Sequence, residues 1–299
     1  MTTAADSDFD GTFPFTSKFC RTSSGRMAYV DEGDGDPVVL LHGNPTWGYL
    51  YRRFIPPLSK SHRVVVPDDI GFGRSDKPAS DLKLADHVQN FTELALHLDL
   101  KKVTLVMQDW GGPIGLGFAT RHPERVKALV VMNTWAFRIR QGTPLHPLLE
   151  QFRIPGVGEA LVQGVNLFVE GFLPAGIHQR EKITDAMMHA YRAPFPDFNS
   201  RAPVLAFPRD IPVGDEHPST ATMGAIEDRL NALDVPMLIV WGMRDIALPS
   251  ALIDLRWLKY FPRAEVHRLE NASHFLQEDE PDRIVGLIID FLNRHQQGH

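Results

Sequence analysis

Short runs of apolar residues recur along the chain, and segments in which apolar residues return every three or four positions lie between them. Each run is too short for a helix and is continuous rather than alternating, as is typical of strands buried on both faces of a parallel sheet. The runs are Val38–Leu41, Val64–Val66, Val103–Met107, Leu129–Met132, Met237–Val240 and Ala264–Leu269. Before them, two β-rich runs from Phe15 to Glu32 flank Ser23-Ser24-Gly25, which predicts a hairpin.

Helical patterns separate the buried runs. Leu84, Val88, Phe91, Ala95 and Leu98 fall on one helical face. A second apolar stripe spans 284–292 and follows Pro281, a residue type that favours the start of a helix. Because strands and helices alternate, we predict an α/β fold with a mostly parallel central sheet flanked by helices.

The alternation stops between about Trp135 and Asp215, where strand signals give way to prolines, phenylalanines and short helical patterns. Some 80 residues, by rough count, are too many for a structureless loop in a compact domain. We therefore predict a main domain formed by residues 1–135 and 214–299, with an inserted helical cap of residues 136–213.

Charge and composition exclude several classes of function. The chain has 299 residues and a formal net charge of −6, with no basic stripe suited to nucleic acid. No apolar stretch approaches the ~20 residues that span a bilayer. Cys20 is the only cysteine, and Met1–Gly11 lacks a secretory leader pattern and is predicted to be a frayed tail. We expect a soluble, cytoplasmic protein of undetermined oligomeric state.

A candidate nucleophile follows the third buried run. That run, Val103–Met107, leads into Gln108-Asp109-Trp110-Gly111-Gly112-Pro113 and then a helical segment. A strand–turn–helix junction of this kind presents a nucleophile on a strained turn. Because an aspartate is already ionised, it suits attack on a saturated carbon, and water would then hydrolyse the resulting ester. The alternative is that Asp109 merely caps the helix.

Candidate partners for Asp109 follow two later strands. Asp245 comes after Met237–Trp241, and His274 comes after Ala264–Leu269. In the order nucleophile, acid, histidine, Asp245 would hold the imidazole and His274 would act as the base. Each also has a plain alternative, since Asp245 could cap a turn and His274 could be a core residue. The histidines show no metal-ligand spacing, so we expect neither a metal nor another cofactor.

Three segments together resemble the haloalkane dehalogenases, and the similarity extends over nearly the whole chain. They are His42-Gly43-Asn44-Pro45-Thr46-Trp47, the run Gly71–Pro78, and Gln108–Pro113. The resemblance implies an α/β-hydrolase fold and hydrolysis of small apolar haloalkanes with water, releasing halide. It also implies that the Asn44 amide and the Trp110 indole bind the halide. Their backbone N–H groups would form the oxyanion hole.

Within this family some members take the acid from the strand before the cap, and others take the second halide donor from a cap tryptophan. This sequence offers Asn133 at the first position, which leaves Asp245 as the acid. No tryptophan lies within the cap proper. One departure has no explanation in the sequence: Asp69 follows Asp68 where relatives usually carry an apolar residue.

Apolar residues of the cap and of nearby loops are expected to line the substrate pocket, although each suits core packing equally well. The candidates are Phe168, Phe207, Pro208, Leu248 and Phe275. Three other functions stay open: an epoxide hydrolase with Tyr191 as the electrophile, a non-catalytic ligand-binding protein of the same fold, and, more distantly, a luciferase-like oxygenase. The asparagine at position 44 argues against the first, and the complete triad argues against the second.

Overall fold

A single sheet with eight strands organises the computed structural model, which describes residues 8–79, 81–140 and 147–295. The strands are β1 Lys18–Thr22, β2 Gly25–Glu32, β3 Pro37–Leu41, β4 Arg63–Pro67, β5 Val103–Asp109, β6 Val126–Thr134, β7 Met237–Gly242 and β8 Glu265–Leu269. Their order across the sheet is β1-β2-β4-β3-β5-β6-β7-β8. The pairs β1–β2 and β2–β4 are antiparallel, whereas all other neighbours are parallel. The predicted hairpin and parallel strands are thus confirmed.

Helices cover both faces of the sheet and fill the segment between β6 and β7. The α-helices are α1 Ile55–Leu58, α2 Leu84–His97, α3 Gly111–Ala119, α4 Pro147–Phe152, α5 Leu173–Ala175, α6 Asp185–Arg192, α7 Ala202–Asp210, α8 Thr220–Glu227, α9 Leu258–Tyr260, α10 Leu276–Asp279 and α11 Pro281–His295. Segments of π-helix lie at Glu159–Gly164, Phe168–Phe172 and Ile253–Trp257. Short 3₁₀ helices lie at Gly48–Tyr51, Pro123–Arg125, Arg180–Lys182, Asn199–Arg201 and Leu230–Ala232.

The described part of the inserted segment consists of short helices joined by turns and loops. Ile139 and Val213 form an isolated parallel bridge, which brings the two ends of the segment together. The domain limits at 135/136 and 213/214 stay a prediction, and residues 141–146 of the proposed cap lie outside the described residues. None of the described helices is both long enough and apolar enough to cross a bilayer.

The amino-terminal segment corrects one expectation. The phenyl ring of Phe9 is buried, and its centroid lies 5.5 Å from that of Trp47 and 5.9 Å from that of Tyr49. The described part of the predicted tail therefore packs on the main domain, because one aromatic ring buries enough apolar surface to hold an otherwise polar segment. Residues 1–7 of that tail lie outside the described residues.

Strand order decides which side chains meet. Because β3 to β8 run parallel, their carboxyl ends lie along one edge of the sheet, where polar loops and helix starts converge. The register pairs Leu41 with Met107 and Asp109 with Thr134, and β7 ends beside β8 at the pair Gly242–Leu269. The loops that carry Asp109, Asp245 and His274 leave the sheet at this edge.

Candidate active site

Asp109 is the last residue of β5 and has a φ of +50°, in the left-handed region that side-chain-bearing residues rarely adopt. Strain of this kind costs about 1–3 kcal/mol and persists only where surrounding structure enforces it. The close approach of α3 to β3 provides that constraint. A Cβ atom on Gly111 would lie 2.3 Å from the carbonyl oxygen of Leu41, so only glycine fits there. The turn therefore lifts the Asp109 carboxylate above the sheet.

Two backbone N–H groups hold the Asp109 carboxylate. The Asn44 N–H donates to Oδ1 over 2.8 Å, and the Trp110 N–H also donates to the carboxylate. A Cβ atom on Gly43 would lie 2.2 Å from the same Oδ1, which explains the glycine before Asn44. Burial raises the pKa of Asp109, while His274 and the two backbone donors oppose that rise. The site thus holds a desolvated carboxylate in a fixed orientation.

His274 lies between two carboxylates. Its Nδ1 is 2.8 Å from Oδ2 of Asp245, and its Nε2 is 3.6 Å from Oδ2 of Asp109. Burial by itself would lower the pKa of His274, but the charges of Asp245 and Asp109 and the hydrogen bond to Asp245 raise it to about 9. The three residues predicted from separate strand ends therefore meet in the order required of a triad, with Nε2 facing the nucleophile.

Asn133 is a residue to which the sequence assigned no role. Its Nδ2 donates to Oδ2 of Asp245 over 2.8 Å and to the carbonyl of Gly242 over 3.1 Å, while its Oδ1 accepts the Gly242 N–H. Oδ1 of Asp245 accepts two more N–H groups, from Ala247 and Leu248. Burial opposes ionisation of Asp245, yet His274 and these donors lower its pKa overall. Asn133 therefore fixes the acid instead of supplying it.

The predicted halide donors lie on the other side of Asp109. The side-chain Nδ2 of Asn44 donates to the carbonyl of Val204 in α7 over 3.0 Å, which ties the β3 loop to the cap. An amide has two N–H bonds, so one remains for a ligand. The indole of Trp110 packs between the rings of Phe207 and Trp135, with centroid distances of 4.5 and 5.0 Å.

Comparisons with known proteins show the fold and the family of the chain. A family model described as the α/β-hydrolase fold matches residues 36–281. A haloalkane dehalogenase of Mycobacterium marinum is 40% identical over 271 residues, which are 88% of this chain and 88% of that protein. The crystal structure of the haloalkane dehalogenase DbeA from Bradyrhizobium elkani matches with a TM-score of 0.85 and 31% identity, covering 94% of this chain and 99% of that one. The chain belongs to the haloalkane dehalogenase family.

One further relative carries a different name. A cis-3-alkyl-4-alkyloxetan-2-one decarboxylase of Shewanella oneidensis is 35% identical over 291 residues, covering 95% of this chain and 90% of that protein. The chain is thus similar both to haloalkane dehalogenases and to a protein named as an oxetan-2-one decarboxylase.

Gln108 is a second residue of this dehalogenase-family site that the sequence left without a role. Its Nε2 lies 3.2 Å from Nε2 of His274 and donates to the His274 carbonyl over 3.1 Å. Its Oε1 is buried and has no hydrogen-bond partner among the described residues. The signal in the sequence was its position directly before Asp109, near the end of a strand that is fully buried.

The predicted pocket residues divide into two groups. Phe207 contacts Trp110, and the ring of Phe275 meets that of His274 edge to face at 4.8 Å. Leu248 lies beside the acid, since its N–H donates to Asp245. Phe168 instead packs within the cap, against Phe152 and Phe172. Pro208 is buried inside α7, one position after Phe207. The first three border the triad and its neighbours, and substrate contact stays a prediction for all five.

Proposed function

We propose that the protein hydrolyses the carbon–halogen bond of small apolar haloalkanes to an alcohol, a halide ion and a proton, through an alkyl ester on Asp109. Its family relationship supports activity on carbon–halide bonds. The observation that carries the proposal is the buried Asp109 carboxylate, which is held by two backbone N–H groups and is followed directly by Trp110. Its Oδ2 lies 3.6 Å from Nε2 of His274.

In the first step Asp109 attacks the saturated carbon that carries the halogen. A carbon–oxygen bond forms while the carbon–halogen bond breaks, and the halogen leaves with the bonding electrons. The halide has diffuse charge and needs N–H donors rather than a proton, and the free amide N–H of Asn44 and the indole N–H of Trp110 would supply them. A dry surrounding strengthens both contacts.

In the second step water hydrolyses the ester. Alkylation removes the negative charge of Asp109, which is one cause of the raised pKa of His274, so that pKa falls and the imidazole becomes a competent base. His274 then takes a proton from water as the oxygen attacks the ester carbonyl. The backbone N–H groups of Asn44 and Trp110 would stabilise the oxyanion, and its collapse releases the alcohol and restores the carboxylate.

The epoxide hydrolase alternative loses its electrophile in this fold. The hydroxyl of Tyr191 is fully buried and donates to Oε1 of Glu278 over 2.5 Å. Arg52 pairs with both oxygens of the same carboxylate, at 2.6 and 2.7 Å. A tyrosine engaged in this network is unavailable to protonate an opened epoxide, so Tyr191 serves to join the cap to the main domain.

A second candidate follows from the decarboxylase relative. Asp109 could attack the saturated ring carbon that is bonded to the ring oxygen of an oxetan-2-one. The bond between that carbon and the ring oxygen breaks, and the leaving group is a carboxylate. Loss of CO₂ from that carboxylate, with departure of the Asp109 carboxylate, would then give an alkene without any water. The two reactions share their first step and differ in the second, in which only hydrolysis requires His274 as a base.

The deciding experiment is mass spectrometry of His274→Phe after exposure to 1-bromobutane. Formation of the ester needs no base, so we expect a butyl adduct on the peptide that contains Asp109, with turnover lowered at least ~10³-fold. The matched control is the double variant Asp109→Asn/His274→Phe, which should show no adduct. A peptide of unchanged mass in His274→Phe would remove the covalent mechanism. Alkene formation by wild-type protein from a cis-3,4-dialkyl oxetan-2-one, without halide release from bromoalkanes, would favour the second candidate.

A further inference from the structure

The five tryptophans differ in what their indole N–H groups do. Three donate to backbone carbonyl oxygens: Trp47 to Ala190 over 3.1 Å, Trp241 to Leu248 over 3.2 Å, and Trp257 to Thr134 over 3.2 Å. The remaining two, Trp110 and Trp135, meet beside the nucleophile. The tryptophans that only support the fold are therefore satisfied by the protein itself.

Sheet register places Trp135 at the site. Asp109 of β5 pairs with Thr134 of β6, so the residues that follow them, Trp110 and Trp135, leave the sheet edge side by side. Their rings meet edge to face, with centroids 5.0 Å apart and planes at 74°. The position is set by the same strand ends that set the nucleophile.

The indole N–H of Trp135 is buried without a partner. The residue is 7% exposed, its Nε1 is shielded from solvent, and no acceptor for Nε1 is found among the described residues. A buried donor left unpaired destabilises the folded protein, and a bound acceptor would remove that penalty. Because the ring of Trp135 contacts that of Trp110 and the residue before it pairs with Asp109, this unpaired donor indicates a place that a ligand fills.

We propose that the Trp135 N–H is a further donor for the anion displaced by Asp109, acting beside Asn44 and Trp110. The inference rests on the proposed function, because that reaction creates an anion at this place. A halide accepts several N–H groups at once, and a desolvated donor contributes more than one that already competes with water. Trp135 thus binds the leaving group together with Trp110.

The test compares wild-type protein with Trp135→Phe, which keeps an aromatic ring and removes the N–H. Bromide affinity is measured by calorimetric titration, and kcat/KM is measured for 1-chloro-, 1-bromo- and 1-iodobutane. A hydrogen bond to a charged group contributes enough to predict an approximately tenfold weaker bromide affinity. We expect kcat/KM to fall more for the chloride than for the iodide, because the poorer leaving group depends more on the donors.

Two controls separate this role from packing. Trp257→Phe removes an indole N–H that is already bound to Thr134, so it should lower Tm and leave bromide affinity unchanged. Incorporation of 3-benzothienylalanine at position 135 keeps the bicyclic shape without the N–H, and it should weaken bromide binding as Trp135→Phe does even if the phenylalanine variant folds poorly.

The outcomes distinguish the two proposals. Unchanged bromide affinity and an unchanged chloride-to-iodide ratio in both position-135 variants would overturn the role of Trp135 while leaving the dehalogenase proposal intact. Wild-type protein that binds bromide but releases no halide from any bromoalkane would contradict the proposed reaction, and the bromide titration would still decide the role of Trp135. Wild-type protein that binds no bromide would overturn the role of Trp135 directly.

Discussion

The two sides of Asp109 are built differently. On the His274 side, Asp245 is a buried carboxylate that accepts N–H groups from His274, Asn133, Ala247 and Leu248. On the side of the predicted halide donors, Nε1 of Trp135 is equally buried yet has no partner among the described residues, in contrast to both oxygens of Asp245.

The difference corresponds to two different tasks. A group that orients a proton carrier must be in place before substrate arrives, so its hydrogen bonds are made within the protein. A group that binds a ligand leaves its hydrogen bond unmade until the ligand arrives, and this unmade bond lowers the stability of the free protein. Breaking the first side should stop the proton transfer, whereas breaking the second should weaken stabilisation of the leaving group.

Asp245→Asn should have the larger effect. The amide cannot stabilise the imidazolium or hold the required tautomer of His274, so we expect kcat to fall by about 10³-fold or more, as triads do without their carboxylate. The measurement is steady-state bromide release, with mass spectrometry to detect accumulated ester. Asn133→Ala is the matched control: Asp245 keeps its other donors there, so the loss should be about tenfold. Turnover of Asp245→Asn within tenfold of wild type would show that His274 does not depend on this acid.

Trp110→Phe tests the leaving-group side. Loss of one donor to a developing halide should reduce kcat/KM about 10- to 100-fold, with a greater loss for 1-chlorobutane than for 1-iodobutane. Phe207→Leu changes a ring that packs on Trp110 but donates no hydrogen bond, and it should not change the chloride-to-iodide ratio. If the two variants changed that ratio equally, packing rather than hydrogen bonding would explain the effect.

The three triad residues could be predicted from the sequence, whereas the two residues that hold Asp245 and His274 in place could not. Asp109, Asp245 and His274 each follow a recognisable buried strand, so the parallel order was enough to bring them together. Asn133 and Gln108 also lie at strand ends, but each acts through a partner more than 100 residues away, and only the folded structure shows those contacts.

The same limit explains two other outcomes. Phe9 was expected in a tail because nothing in its local sequence reveals the aromatic cluster that receives it. Trp135 is predicted only to be the last residue of the main domain before the cap, since its contact with Trp110 depends on the pairing of Asp109 with Thr134.

Asp69, whose presence the sequence left unexplained, extends the comparison to a third buried carboxyl group. Its backbone N–H donates to Nε2 of His42 over 3.0 Å, and its own carboxylate lies 3.9 Å from that nitrogen. Burial lowers the pKa of His42 to about 4, so the imidazole offers no positive charge. Burial, and then the charge of Asp68, raise the pKa of Asp69 to about 8. Ionisation of Asp69 therefore destabilises the folded protein, whereas ionisation of Asp245 is favoured by its partners.

Asp69→Asn should therefore stabilise the fold, in a manner that depends on pH. Between the ordinary pKa of 3.8 and about 8, the folded protein keeps a proton that the unfolded chain has released, so wild-type stability falls as pH rises through this range. The amide does not titrate, and we expect a gain on the order of 5 kcal/mol at pH 7.5 that shrinks towards pH 4. Urea unfolding at pH 5 and pH 7.5 measures this gain.

Asp76→Asn is the control, for which we expect a loss of stability. Burial opposes ionisation of Asp76, but Arg26 lowers its pKa overall, so the ionised carboxylate stabilises the fold above its ordinary pKa. A gain for Asp69→Asn that is the same at both pH values would show that packing, not the buried charge, sets the stability of this edge of the sheet.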